Sequence, residues 1–337
     1  MKKVSILGMV GLVILLFQFG QVFGAQSTKP IKLKWAALEP PESYDLIAYR
    51  KVAEIVKGKT NGRIQIELFP GGGLGGRKAM FEALKMGTID LFGISDSSIA
   101  PLDPERLSIC GLTYGFRDRD HHRKFLKSSI FQKSQQVLLE KYGMQVLNTE
   151  WNWDRGLYRV LISRKPVFVP GDIKGMKLRI QPAEIPRMSW LGIGASPVVI
   201  EIAETYIALR QGMVDGMLLP IAELWPWKFT EVLKYITVLD EYPQTIPILM
   251  SEKTWKTLST ADQKVMVNAV DEGGRYYTKI VSEGVDKDIQ NMLDEHGVSI
   301  IKVSLKPWME KMKPVIKEME NKNIIPKGLY DEVQAIK

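Results

Sequence analysis

Apolar and polar positions alternate over residues 31–37, the pattern of a half-buried strand. Over 44–57 the spacing changes: Leu46, Ile47, Tyr49, Val52, Ile55 and Val56 fall on one helical face. Gly62 ends that run, and Ile64-Gln65-Ile66-Glu67-Leu68 alternates again as a second strand. A glycine-rich turn leads into a helix over 77–86, closed by Gly87, and 89–94 begins a third strand. The order βαβαβ predicts a mostly parallel sheet with helices on its faces.

A second unit of the same kind follows. The turn Pro170-Gly171-Asp172 precedes a strand over 176–180, which carries one arginine, Arg179, near its end. A helical stretch, Gly192, Gly194, another strand, an amphipathic run over 201–211, Gly212 and a strand from Val214 complete it. Ala83-Leu84, Gly87 and Ile89-Asp90 are repeated in kind by Ala208-Leu209, Gly212 and Val214-Asp215. Two α/β lobes built from similar pieces are therefore expected. Residues 31–150 and about 240–275 are assigned to lobe one, and 151–239 and about 276–337 to lobe two. Ser259 starts a long helical pattern that runs to His296-Gly297, interrupted at Gly273-Gly274 and Gly284.

The amino terminus has the form of a targeting segment. Lys2 and Lys3 precede an apolar run over 4–19, and Val22-Phe23-Gly24 offers small or aliphatic residues for cleavage. Residues 1–24 are assigned to a signal peptide and the chain to the periplasm. A retained anchor is the alternative, weakened by Gln18, Gly20 and Gln21 at the end of the run. The 337 residues suit two domains better than one. Cys110 is the only cysteine and lies in an apolar stretch, so it reads as a buried thiol with no disulfide to make.

Net charge is +8, but the basic residues are interspersed with acids, and no basic block with interleaved aromatics is present. That argues against nucleic acid as a partner. Gly71-Gly72-Gly73-Leu74-Gly75-Gly76 has the form of a dinucleotide loop, but Pro70 intrudes and no acid stands cleanly where the ribose would need one. Arg77-Lys78 also departs from a phosphate-binding P-loop, so a tight turn is the better account. His121 and His122 are adjacent, about 100° apart on a helix, and so not a chelating pair. They read as a solvated helix start. Neither a nucleophile elbow nor a cysteine–histidine pairing is visible, so no enzyme activity, cofactor or metal is assigned. Arg179 is the outstanding candidate. Its planar fork at a strand end can donate two parallel hydrogen bonds to a carboxylate.

Several runs resemble the DctP-like solute-binding proteins of TRAP transporters. They are Lys174-Gly175-Met176-Lys177-Leu178-Arg179-Ile180, the run from Glu204 to Pro220, and Gly62-Arg63-Ile64 through Gly75. Ala83-Leu84-Lys85-Met86-Gly87-Thr88-Ile89-Asp90 and Phe116-Arg117-Asp118-Arg119-Asp120-His121 add to them, and together they cover most of 31–240 in order. The resemblance implies a two-lobed, periplasmic-binding-protein-like α/β fold, with a ligand cleft between lobes and one long helix spanning both. It implies an extracytoplasmic binding protein, without cofactor, that closes about a hinge on a small carboxylate and serves TRAP membrane permease subunits. Arg179 matches the family's ligand-binding arginine.

Two positions depart from the family pattern. Tyr158 stands where many members have a second arginine, with Arg159 one place on, and Leu219 stands where many have asparagine. A one-residue slip on a strand reverses the face, so Arg159 can substitute only across a bulge. With Trp151 and Trp153 nearby, the pocket is read as one carboxylate clamp in apolar, aromatic surroundings. Glu39, Ser95, Asp96 and Ser97, at strand ends of lobe one, are placed over the ligand. The expected ligand is a monocarboxylate or 2-oxo acid with an apolar or aromatic substituent. The alternatives are a C4-dicarboxylate, a role in a sensor, and an exported oxidoreductase.

Overall fold

The computed structural model describes residues 30–156 and 158–337; the targeting segment assigned to 1–24 lies outside them. Two sheets organise the chain. The first holds β1 (Ile31–Ala36), β2 (Ile64–Phe69), β3 (Leu91–Gly93), β4 (Met144–Val146) and β10 (Ile248–Ser251), in the order β2-β1-β3-β10-β4. The second holds β5 (Arg159–Ser163), β6 (Lys177–Ile180), β7 (Ser196–Val199), β8 (Gly216–Pro220), β9 (Tyr235–Val238) and β11 (Ser299–Lys302), in the order β11-β9-β5-β8-β6-β7.

The parallel pairs are those the alternation predicts. β1 runs parallel to β2 and β3, and β6 runs parallel to β7 and β8. The antiparallel members are the strands that cross between sheets. β10 opposes β3 and β4, and β5 opposes β8 and β9. The chain passes from one sheet to the other between β4 and β5, between β9 and β10, and between β10 and β11. A cleft therefore opens where strand ends of both sheets face each other.

Local signals fix the helices. Tyr44–Lys59 is capped by the Ser43 side chain, which accepts from the Leu46 amide. Arg77–Met86 ends at Gly87, whose left-handed φ of 75° a side chain would strain. The longest helix, Thr260–His296, runs 37 residues without a break, about 55 Å at 1.5 Å per residue. Arg63 holds Asp262 near its start, beside the first sheet. Thr230 and Lys234 of the second lobe bind the His296 ring and carbonyl at its end. It thus spans both lobes.

The glycines expected to interrupt this helix are points of close approach instead. A Cβ on Gly274 would lie 2.5 Å from Trp153 Cδ1 and 2.6 Å from its Nε1, and one on Gly284 would collide with the Tyr44 ring. Trp153, wholly buried, stacks on Tyr277 of the long helix at 5.3 Å and lies 5.7 Å from Tyr49. Its Nε1 donates to Val270 O at 2.9 Å. Aromatic pairs of this kind contribute about 0.5–1.5 kcal/mol beyond their buried area. The chain end divides its allegiance. Lys306–Asn321 packs on the second-lobe helix Glu184–Ile193, while Arg117 and His121 of the first lobe bind the carbonyls of Val333, Gln334 and Ile336.

Candidate functional site

The cleft between the sheets contains a cavity of about 540 Å³, its open mouth included. Four arginines line it: Arg77, Arg155, Arg159 and Arg179. What distinguishes them is what each guanidinium already holds.

Arg179, third residue of β6, is only 6% exposed, and its Nε donates to Ile200 O at 2.8 Å. Its two Nη groups hold no hydrogen bond, and no carboxylate lies within 4.0 Å, among the described residues. Burial, then the neighbouring charge of Arg77, pull its pKa down to about 9. It stays protonated at neutral pH and desolvated, with Glu201, whose charge opposes the fall, lying beyond 4.0 Å. Arg77, first residue of the helix Arg77–Met86, is 8% exposed, and its Nε and Nη1 are buried with no hydrogen-bond partner. Burial lowers its pKa as well, with Glu201 opposing and Arg155 adding to the fall.

The other two are committed. Arg159 Nε donates to Glu241 Oε1 at 2.8 Å, Nη1 to Gln244 Oε1 at 2.6 Å, and Nη2 to Leu218 O at 3.2 Å. Its guanidinium also lies 4.4 Å over the Tyr242 ring. Arg155 Nη2 meets Glu39 Oε1 at 3.0 Å, Glu223 Oε1 at 3.2 Å and Asp45 Oδ1 at 3.6 Å. Glu39 and Asp45 come from the first lobe and Glu223 from the second, so this group ties the lobes together. Burial raises the pKa of Glu39, opposed by Arg155, and raises that of Asp45 still more.

Uncharged groups complete the lining. Leu218, Leu219, Ile202 and Trp227 give an apolar wall, and Ser98, Gln181 and Gln244 give polar atoms. Ser97 Oγ accepts from Gln244 Nε2 at 2.7 Å and from Gln181 Nε2 at 3.4 Å, a second tie between lobes.

Residues 36–323 match the bacterial extracellular solute-binding proteins of family 7, DctP. The chain belongs to this family. It is 29% identical over 294 residues to the 2,3-diketo-L-gulonate-binding periplasmic protein YiaO of Escherichia coli, covering 86% of this chain and 88% of that one. Its fold superposes on a TRAP periplasmic solute-binding protein of Sulfurospirillum deleyianum with bound succinate. The TM-score is 0.82, at 26% identity, over 91% of this chain and 99% of the other. One from Ochrobacterium anthropi with bound L-fuconate gives 0.81 at 27% identity, over the same shares. These relatives are transport proteins, not enzymes, and the two-lobed α/β fold is theirs.

Within this DctP-family fold, the predicted residues scatter. Arg179, Arg159, Leu219, Glu39 and Ser95 line the cavity. Tyr158 does not; it is half-buried against the core, and Arg159 reaches the cleft in its place. Leu157, where an intervening bulge would fall, lies outside the described residues. Trp151 and Trp153 are also away from the cavity. Trp151 sits edge-on to Phe131 at 4.8 Å, and Trp153 lies in the aromatic stack against the long helix. The indole near the ligand space is Trp227, whose Nε1 donates to Glu223 Oε2 at 3.0 Å.

Asp96 is turned away too. Its Oδ2 lies 2.6 Å from His122 Nε2, and its Oδ1 accepts from the Ser97 amide at 2.9 Å. His121 and His122 are buried, not solvated, because Phe116 packs on both rings and the chain end covers His121. His121 Nδ1 accepts from the Arg117 amide, which leaves Nε2–H to donate to Val333 O. In the glycine turn, the Gly71 amide donates to Glu39 O and the Gly72 amide to Ala37 O, both at 2.9 Å. Amides spent on the segment just after β1 in this way cannot cradle a phosphate.

Sequence reasoning missed Arg77, Arg155, Glu223, Gln181 and Gln244. Arg77 had a usable signal, since it opens a helix directly after a strand and turn, at the carboxyl end of a parallel sheet. Arg155 has none, because its environment is assembled by three segments distant in sequence.

Proposed function

We propose that this protein captures an organic acid between its lobes, holds the carboxylate on Arg179, and presents it to a TRAP-type permease. The observation that carries this reading is a buried guanidinium in the cleft with both Nη groups free among the described residues. A buried charge is ordinarily paired, and the fork of arginine matches a carboxylate with two parallel bonds. The TRAP neighbours with bound succinate and L-fuconate both hold acids, which supports the same chemistry here. The targeting pattern in the sequence, together with the periplasmic relative, supports a periplasmic location.

The lining narrows the ligand. Leu218, Leu219 and Ile202 suit an aliphatic substituent, and Gln181 or Ser98 can meet an oxo or hydroxy group. With Trp151, Trp153 and Tyr158 outside the cavity, Trp227 is the one aromatic side chain among the described lining residues, and the rest of the apolar wall is aliphatic. The reading is a 2-oxo or 2-hydroxy monocarboxylate with an aliphatic tail. Such a ligand touches both lobes only when they are closed, so it shifts the population toward closure.

A thermal-shift screen tests this, with aliphatic 2-oxo and 2-hydroxy acids, succinate and sugar acids. Ligand at about 100 times its dissociation constant adds about 2.7 kcal/mol, several degrees for a protein of this size. Stabilisation by no carboxylate at all would sink the reading. Tighter binding of succinate or a sugar acid than of any aliphatic monocarboxylate would keep the anchor and discard the pocket assignment.

A further inference from the structure

We propose that Arg77 is the lobe-one half of the carboxylate clamp, so that one anionic group is shared by guanidinium groups from both lobes. This rests on the organic-acid reading of the cleft and adds the residue by which the first lobe recognises the ligand.

Arg77 follows β2 and the turn at Gly76, and lines the same cavity as Arg179. It is more than nine-tenths buried, yet Nε and Nη1 have no acceptor, and no carboxylate lies within 4.0 Å among the described residues. Arg155 and Arg159, in the same cleft, each hold a glutamate. Its helix begins with no capping side chain and no acid in the first turn, so the free amides there add positive potential. Leaving buried donors and a buried charge unmatched is costly, and packing alone does not repay it. Glu201 opposes part of the charge on Arg77 and Arg179 but lies within 4.0 Å of neither, so donors from both lobes are left facing the groove, and the missing partner is an anion lying between them.

The two guanidinium groups are close enough for Arg77 to be the largest charge effect on Arg179. One carboxylate placed against both relieves that repulsion. It also makes the ligand the tie that holds the lobes together, because its charge is fully matched only in the closed arrangement.

The test is Arg77→Gln in the purified protein, read two ways. Without ligand, the thermal midpoint should rise, because an unmatched buried charge has been removed. With 3-methyl-2-oxobutanoate, and with acetate as a minimal monocarboxylate, affinity should fall by roughly tenfold to a hundredfold. Arg179→Gln should do the same, and the double variant should lose less than the product of the two losses. A midpoint that falls would make Arg77 a structural support and overturn the proposal, whatever the ligand proves to be. Loss of succinate binding alone, with the monocarboxylates unaffected, would also overturn it, by assigning the two arginines to separate carboxylates. A wild-type protein that answers to no carboxylate is a different result: it removes the organic-acid reading itself.

Discussion

Arg159 Nε lies 2.8 Å from Glu241 Oε1, and this contact separates Arg159 from the two open arginines of the same cleft. Glu241 Oε2 also accepts from Trp190 Nε1 at 2.9 Å, so the carboxylate is held on both oxygens in a buried setting. Arg159 is therefore part of the frame of the cavity. Arg159→Met should leave Glu241 as an uncompensated buried charge and cost about 3–5 kcal/mol in chemical denaturation. Arg159→Met,Glu241→Leu should recover most of that loss. If Arg159→Met instead left stability unchanged and reduced only ligand affinity, Arg159 would belong to the clamp.

Two of the carboxylates around Arg155, Asp45 and Glu39, make stability depend on pH. Burial first, then Glu223, hold Asp45 well above its ordinary 3.8, and burial raises Glu39 above 4.5 against the pull of Arg155. A carboxyl group whose folded pKa is raised contributes stability fully below its unfolded value and loses it as pH rises through the folded value. The folded state binds more protons in that window. Their share of the unfolding free energy should thus decline from about pH 4 upward. Asp45→Asn keeps the shape without the charge and should flatten the decline, measured as urea midpoints across pH. A slope identical to wild type would show that Asp45 does not titrate in that window.

Much of the fold was legible because its signals are local. Gly87, Ser259 and Gly297 each act on the turn they occupy, and the alternation over 31–37 reports the face of one strand. Arg179 was legible as well, lying near the end of a strand whose sheet position follows from βαβ order. The rest of the cavity depends on tertiary placement. Tyr158 and Arg159 are neighbours in sequence, and which of them reaches the cleft turns on a one-residue register that composition cannot reveal. Asp96 carries a strand-end position as good as that of Ser95, but His122 from a helix beyond draws its carboxylate away. Trp151 and Trp153 were near the crossing as expected, yet their bulk went to Phe131 and to Tyr49 and Tyr277.

Two helix glycines offer opposite outcomes for one substitution. Gly58, exposed near the end of Tyr44–Lys59, has nothing within 4 Å of where a Cβ would stand. Gly58→Ala should stabilise by up to about 1 kcal/mol through backbone entropy. At Gly274 the same gain is opposed by the Trp153 indole and by Asn152 Oδ1, both inside contact distance. Gly274→Ala should cost about 1–3 kcal/mol net, since the indole is fixed by Val270 O and by Tyr277. Thermal midpoints of the two variants decide it. Equal shifts of one sign would show that Trp153 can move aside.

Arg179→Lys probes why the clamp needs a guanidinium. Arg179 does two things at once: Nε is committed to Ile200 O, and the two Nη groups face the cavity. A lysine ammonium keeps the charge but is a single donor centre at the end of a flexible stem. It can approach Ile200 O or the carboxylate, but it cannot present two parallel bonds while holding the carbonyl. Loss of one charge-assisted bond is worth about 1.5–3 kcal/mol, so affinity should fall by roughly tenfold to a hundredfold. Calorimetric titration of 3-methyl-2-oxobutanoate into wild type, Arg179→Lys and Arg179→Ala separates charge from geometry. The lysine variant should lie much nearer alanine than wild type. Affinity retained in lysine would show that positive charge alone holds the acid, and the bidentate arrangement would have to be abandoned.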